Sequence, residues 1–182
     1  MKKFLEDRLV ITAAHCLPRM PPAHAAAYDS ERTYKLLGTL DGTKKDILTE
    51  CLFVNPVRDI AVLGCADDQT FEDAAEAYDE LTEHAPFLRI AKAQSGPGWV
   101  LALNGRWEST TITAYETSLT IGPDGPNENG MSGSPILNDA GQAVGVVVVG
   151  AEDMDCDGSK QQREASGQPI LVRDLPGWLV SH

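Results

Sequence analysis

The feature that most constrains this chain is a serine held between two glycines, ahead of a valine-rich run. The serine is Ser132, in the stretch 129–135, and the run covers residues 144–150. An attacking hydroxyl needs a tight turn whose backbone N–H groups converge on the oxygen that becomes negative, and glycine permits such turns. The valine run suits a strand buried on both faces. The pattern therefore predicts a nucleophile loop beside a β-sheet, although an ordinary polar turn would share its composition.

Two upstream motifs supply the partners that a serine nucleophile needs. A serine hydroxyl reacts poorly at neutral pH unless an imidazole takes its proton and a buried carboxylate orients that imidazole. His15 lies in Thr-Ala-Ala-His-Cys, and Asp59 begins Asp-Ile-Ala-Val-Leu. With Ser132 in Gly-Met-Ser-Gly-Ser-Pro, the order is His, Asp, Ser. The motifs predict a catalytic triad, and their order excludes the α/β-hydrolase arrangement.

These three motifs resemble those of the chymotrypsin-like (trypsin-like) serine proteases of bacterial type, and the resemblance covers nearly the whole chain. It implies an all-β fold of two antiparallel Greek-key β-barrels with the site in the cleft between them. The first barrel is expected to be shortened, since few residues precede His15. A short connecting helix and a C-terminal helical turn complete the expectation. The expected domains are an incomplete barrel with His and Asp, a connecting helix, and a barrel with the nucleophile: residues 1–69, 70–85 and 86–182.

The resemblance also assigns roles to single residues. His15 acts as general base and then acid, Asp59 orients it, and Ser132 attacks. The N–H groups of Gly130 and Ser132 form the oxyanion hole. Met131 stands where relatives activated by cleavage carry an aspartate, so the oxyanion hole is expected to be preformed. Substrate contact is assigned to the strand after the nucleophile loop: Val147, Val148, Val149 and Gly150.

The spacing of apolar residues changes between residues 70 and 84. Here Phe71, Ala74, Ala75, Tyr78 and Leu81 recur at helical spacing, with acidic residues between them. This pattern predicts an amphipathic helix. We interpret its carboxylates as a solvated face.

Turn signals divide the remaining sequence into strands. Residues 41–43 (Asp-Gly-Thr) and Asn104-Gly105 predict hairpins, the latter with a two-residue turn. The Ser-Gly-Pro-Gly stretch at residues 95–98 predicts a further turn.

Charge and hydropathy narrow the partners. The 182 residues carry a formal net charge of -12, which argues against nucleic acid or an anionic membrane surface as a partner. No run of about 18 apolar residues occurs, so no membrane span is predicted. The expected partner is a polypeptide substrate, and catalysis requires no cofactor. As written, the chain shows no signal peptide and is expected to be cytoplasmic; it would be secreted or periplasmic if the amino terminus is incomplete.

Two functions of different class follow. The first is a serine endopeptidase that hydrolyses peptide bonds through an acyl-enzyme. The alternative is a catalytically inactive, protease-like domain that binds peptides or proteins, because a shortened first barrel would not hold His15 in place. Reactivity at Ser132 separates them.

A separate motif after the valine run predicts a calcium loop. Its hard oxygen ligands would be Asp153, Asp155, Asp157 and Glu164. The other interpretation is a solvated acidic loop.

If calcium binds, a chelator will lower the melting temperature, because the bound ion orders the loop and stabilises the folded protein. Glu164→Ala removes the bidentate ligand and should abolish that response. A melting temperature unchanged by chelator would contradict the calcium loop.

Overall fold

The computed structural model describes residues 8–18, 24–25, 34–38, 47–66, 71–116, 118–122, 130–149 and 165–169. The chain divides into two compact units, Met1–Phe87 and Leu88–His182. Each unit carries one antiparallel β-sheet, and the first also carries a helix. The predicted all-β class is confirmed; the C-terminal helical turn lies outside the described residues. No helix in the described part has the length and apolar character needed to cross a membrane.

In the described residues of the first unit, the sheet contains five strands and does not close on itself. They are β1 (Val10–Ala13), β2 (His24–Ala25), β3 (Tyr34–Leu37), β4 (Ile47–Asn55) and β5 (Ile60–Cys65). Their order is β1-β5-β4-β2, and β3 also pairs with β4. Within the described residues β1 pairs on one side only, with β5. The predicted hairpin of β3 and β4 is present, and its turn residues lie outside the description.

The core of this unit lies against the central strands. Residues Ile60 to Leu63 of β5 are all at most 1% exposed. The main cluster is Ala14, Leu17, Cys51, Val54, Ala61 and Leu63. Burial raises the pKa of the Cys51 thiol to about 11, so this side chain packs as a small apolar group at neutral pH.

The predicted amphipathic helix forms as α1 (Glu72–His84) and packs against β4 and β5. Its buried residues include Tyr78, whose hydroxyl donates a hydrogen bond to the carbonyl of Arg8. The Arg8 guanidinium donates to the carbonyl of Ala85 at 3.2 Å and lies 4.3 Å from the centre of the Phe87 ring. These hydrogen bonds and the ring contact therefore connect α1 and the segment after it to Arg8, which precedes β1.

The second unit contains a closed six-stranded barrel. Its strands are β6 (Gly96–Leu101), β7 (Trp107–Ala114), β8 (Leu119–Ile121), β9 (Pro135–Asn138), β10 (Ala143–Val149) and β11 (Ala165–Pro169). The order is β10-β11-β8-β7-β6-β9, and the barrel closes because β9 pairs with both β6 and β10. Apolar side chains fill it: Val100, Ile112, Leu119, Ile121, Met131, Ile136, Val144 and Val147.

The hairpin at Asn104-Gly105 is present, but its loop is longer than the predicted two residues. Ala102 donates its N–H to the carbonyl of Arg106, which leaves three residues between them. Gly105 has φ +75°, and the Asn104 side chain accepts the N–H of Arg106. This arrangement is a three-residue hairpin loop with glycine in the left-handed position.

The predicted turn at residues 95–98 is wrong, because Gly96, Pro97 and Gly98 lie inside β6. A Cβ at Gly98 would lie 2.4 Å from Ile112 Cδ1 and 2.5 Å from the Leu137 carbonyl oxygen. Glycine is therefore required here by close packing between strands. Pro97 precedes the residues of β6 that pair with β9, so its missing N–H breaks no bond to that strand.

We predict that Gly98→Ala destabilises the protein by about 2 kcal/mol or more, since the added methyl group meets a backbone oxygen that cannot move aside. The matched control is Gly122→Ala, whose Cβ would meet nothing closer than 3.4 Å. Urea unfolding measures both changes. Equal effects of the two substitutions would contradict the packing argument.

Candidate active site

The pairing of β1 with β5 brings the predicted histidine and aspartate together. Ala13 at the end of β1 is opposite Ile60 at the start of β5. Ala14 follows β1 and Asp59 precedes β5, and these two residues continue the pairing: the N–H of Ala14 donates to the carbonyl of Asp59 at 3.0 Å. His15 then sits in a single turn of 3₁₀ helix, Ala14–Cys16, directly beside the aspartate.

The Asp59 carboxylate holds His15 at two points. One oxygen, Oδ1, accepts the backbone N–H of His15 at 2.8 Å, and the other, Oδ2, lies 2.6 Å from ring nitrogen Nδ1. An ionised carboxylate only accepts hydrogen bonds, so Nδ1 carries a proton and the neutral ring keeps its lone pair on Nε2. The aspartate thus fixes both the position and the tautomer of the imidazole. The side chain of His15 is 40% exposed and that of Asp59 is 21% exposed.

Asp59 adopts an uncommon backbone conformation to make these contacts. Among the described residues it is the single non-glycine residue with positive φ, at +52°. Aspartate tolerates this left-handed region better than most residues. Asn55 supports the turn, because its side-chain oxygen accepts the N–H of Arg58 at 3.1 Å. The turn that joins β4 to β5 therefore aims the carboxylate toward His15.

The nucleophile loop of the second unit is a tight turn fastened to β10. The N–H of Ser134 donates to the carbonyl of Met131 at 2.8 Å, and Gly133 has φ +88° at the third position, as in a type II turn. Val147 binds this turn twice: its carbonyl accepts the N–H of Gly133 at 2.7 Å, and its N–H donates to the carbonyl of Ser134 at 2.9 Å. Ser132 thus lies at the second position of a fixed turn.

The two residues assigned to the oxyanion hole belong to this loop. Gly130 is exposed with φ +102°, and Ser132 is half-buried. A Cβ at Gly130 would lie 3.6 Å from Leu103 Cδ1, an ordinary contact, so conformation rather than space requires glycine there. The assignment of the Gly130 and Ser132 N–H groups as oxyanion donors stays a prediction.

The residues predicted to contact substrate follow the nucleophile loop in β10. Both backbone groups of Val147 are hydrogen-bonded to the nucleophile loop, and its side chain is 3% exposed. Val147 therefore supports the nucleophile loop through its backbone, and its assignment to substrate contact, like that of Val148 and Val149, stays a prediction. Val148 and Val149 follow it in β10, and the pairing of β10 with β11 shifts register between Val147 and Val149. Gly150 lies outside the described residues.

All four predicted calcium ligands, Asp153, Asp155, Asp157 and Glu164, also lie outside the described residues. In the part of the chain that is described, no group of three or more His, Cys, Asp or Glu side chains could hold a metal ion. The calcium loop stays a prediction.

Sequence reasoning missed two contributors to this site. Val147 gives its backbone to the nucleophile loop, and Met131, beside the nucleophile, is buried in the barrel core at 1% exposure. The residues next to Val147 and Met131 in sequence do not predict either role. The one available signal for the role of Val147 is its place in the strand that follows the Gly-Ser-Pro loop.

The fold belongs to the double-barrel class of serine proteases. The family profile described as Trypsin-like peptidase domain matches residues 4–146, and the chain belongs to this family. Family membership implies a serine protease that acts on polypeptides. No curated protein matches the chain.

Among solved structures, the apo MamO protease domain from Magnetospirillum magneticum has a TM-score of 0.51 and 16% identity, covering 96% of this chain and 82% of that chain. This likeness bears on the fold alone. The active form of the Rv3671c protease from M. tuberculosis has 20% identity and a TM-score of 0.46, covering 94% and 68% of the two chains. The human pathogenic astrovirus serine protease has 15% identity and a TM-score of 0.47, covering 89% and 76%.

We predict that Asp59→Asn changes the tautomer of His15. Asparagine tolerates the left-handed conformation and keeps one acceptor oxygen for the His15 N–H, but its NH₂ group donates to Nδ1 and moves the ring proton to Nε2. Nitrogen NMR of the imidazole measures the tautomer. An Nδ1–H ring that persists in the variant would contradict the two-point hold.

The matched control is Asp59→Ala, which removes both acceptors and leaves alanine at φ +52°. We expect it to be less stable than Asp59→Asn by about 1 kcal/mol. Thermal unfolding of the two variants measures this difference.

Proposed function

We propose that the protein is a serine endopeptidase that hydrolyses peptide bonds through an acyl-enzyme on Ser132. The observation that carries this proposal is the two-point hold of His15 by Asp59, which reserves Nε2 as a proton acceptor. A surface histidine with no catalytic task would not need its backbone N–H and its ring fixed by the same carboxylate. The tight, glycine-bounded turn around Ser132 gives further support.

The proposed reaction has two halves. In the first, Ser132 Oγ attacks the scissile carbonyl carbon while its proton passes to His15 Nε2. The oxyanion is stabilised by the N–H groups of Gly130 and Ser132. The proton then moves from His15 to the departing amine, the C–N bond breaks, and the acyl group stays on Ser132.

In the second half, water replaces the amine. The water oxygen attacks the acyl carbon while His15 takes a proton from the water. His15 then returns that proton to Ser132 Oγ as the ester bond breaks. The carboxylic acid product leaves and the enzyme is restored. Throughout, Asp59 stays ionised and stabilises the imidazolium that forms twice in each turnover.

A second candidate is a protease-like domain that binds extended peptides without cutting them. The observation in its favour is that β1, the strand leading to His15, pairs on one side only within the described residues. Such an edge has backbone groups that a peptide strand can pair with. This candidate requires no reaction at Ser132.

We predict that a fluorophosphonate probe modifies Ser132 and no other residue. Ser132→Ala will abolish labelling, and His15→Ala will slow it by about 10⁴-fold because the hydroxyl loses its base. Peptide mapping by mass spectrometry locates the modified residue.

The matched control is Ser134→Ala, since Ser134 lies in the same loop and its recorded contacts are made by backbone atoms. We expect it to label at a near-normal rate. A cooperatively folded wild-type protein that does not label would contradict the endopeptidase and favour the peptide-binding domain.

A further inference from the structure

We propose that Met131 is a positioning residue for the nucleophile: its burial in the core of the second barrel holds the turn that presents Ser132. The inference rests on the proposed function for its catalytic meaning, but its structural content concerns the loop alone. It goes beyond the absence of an activating aspartate, because it states what fixes the loop instead.

The first observation is burial. Met131 is 1% exposed, whereas Gly130 is exposed and Ser132, Gly133 and Ser134 are half-buried. Among residues 130–134, the part of the loop that is described, Met131 is the one that is fully buried. The apolar side chains clustered with it come from β6, β7, β8, β9 and β10: Val100, Ile112, Leu119, Ile121, Ile136, Val144 and Val147.

The second observation is that packing and hydrogen bonding involve the same residues. The Met131 carbonyl accepts the N–H of Ser134, which closes the turn around Ser132. The same turn is tied to both backbone groups of Val147. The side chain of Val147 belongs to the cluster that contains Met131. Residues in one packed and hydrogen-bonded group are energetically coupled, so a change in the packing of Met131 should be felt by the turn.

The third observation is the conformation of the flanking glycines. Gly130 and Gly133 have φ of +102° and +88°, values that cost a glycine little but fix no geometry on their own. A turn bounded by two permissive residues needs an anchor. Adjacent Cα atoms are about 3.8 Å apart, so an anchored Met131 limits where Ser132 can lie.

The experiment compares Met131→Ala with Leu119→Ala. Leu119 is 0% exposed in the same cluster and lies on β8, whereas the backbone hydrogen bonds that hold the loop go to Val147 of β10. Both variants leave a cavity in the core and should lower the melting temperature similarly. Met131→Leu conserves volume and serves as the rescue variant, with behaviour close to the wild type.

The first readout needs no activity. Amide hydrogen exchange of Gly133 and Val147 is measured in full-length chains that all carry Ser132→Ala. We expect Met131→Ala to speed exchange of these two amides by about tenfold or more over Leu119→Ala, because the loop opens locally more often. Equal protection in both variants would overturn the inference.

The second readout is catalytic. We expect Met131→Ala to lower kcat by about 100-fold with little change in KM, since a displaced nucleophile loses alignment and not substrate binding. Leu119→Ala should retain kcat within a few-fold. A loss of kcat that is equal in the two variants would show that Met131 acts only through general stability.

The two readouts separate the inference from the proposed function. Selective loss of amide protection in Met131→Ala, together with no acylation of the wild-type protein, would overturn the endopeptidase and keep Met131 as the anchor of the loop. If Met131→Ala does not fold, Met131→Val is compared with Leu119→Val in the same two measurements. Equal results for that pair would also overturn the inference.

Discussion

The antiparallel pairing of β1 with β5 is the constraint on which the first unit of this protein depends. It sets Ala13 opposite Ile60, and so places the residue after one strand beside the residue before the other. A slip of one residue would turn every side chain of β1 to the opposite face and separate His15 from Asp59. The pairing is reinforced at its far end, where Arg8 contacts Ala85 and Phe87. Structural and catalytic requirements therefore converge on one short strand.

The second unit meets a different requirement: the turn that carries the Ser132 hydroxyl must stay rigid. The barrel closes through β9, and β9 begins immediately after the nucleophile loop. Closure therefore fixes one end of the loop, the two hydrogen bonds to Val147 fix its middle, and the burial of Met131 fixes its entry. Each unit thus supplies one half of the proposed chemistry from its own internal contacts.

Much of this was predictable from sequence because it is local. The spacing of Ala75 and Tyr78 predicted α1, and asparagine followed by glycine predicted the hairpin at residue 105. The three motifs around His15, Asp59 and Ser132 identified the family correctly. These signals need no knowledge of distant neighbours.

The features that the sequence did not predict depend on contacts between residues that are far apart in the chain. Gly98 was predicted to lie in a turn, yet it lies in β6. Glycine is required at this position because Ile112 and Leu137 approach it too closely for a side chain. Val147 reads as part of a uniform valine run, and nothing in that run shows that its backbone is already bonded. Met131 lies in the nucleophile loop, and nothing in the neighbouring sequence shows that its side chain is buried in the barrel core. In each case the decisive partner is remote in sequence.

The measurement that most directly tests the central claim is the pre-steady-state release of p-nitrophenol from p-nitrophenyl acetate. An acyl-enzyme on Ser132 predicts a burst of about one equivalent per folded chain, followed by slower turnover as water removes the acetyl group. The burst should be absent in Ser132→Ala and strongly slowed in His15→Ala. A linear time course in the folded wild type, or a burst that survives in Ser132→Ala, would contradict the account.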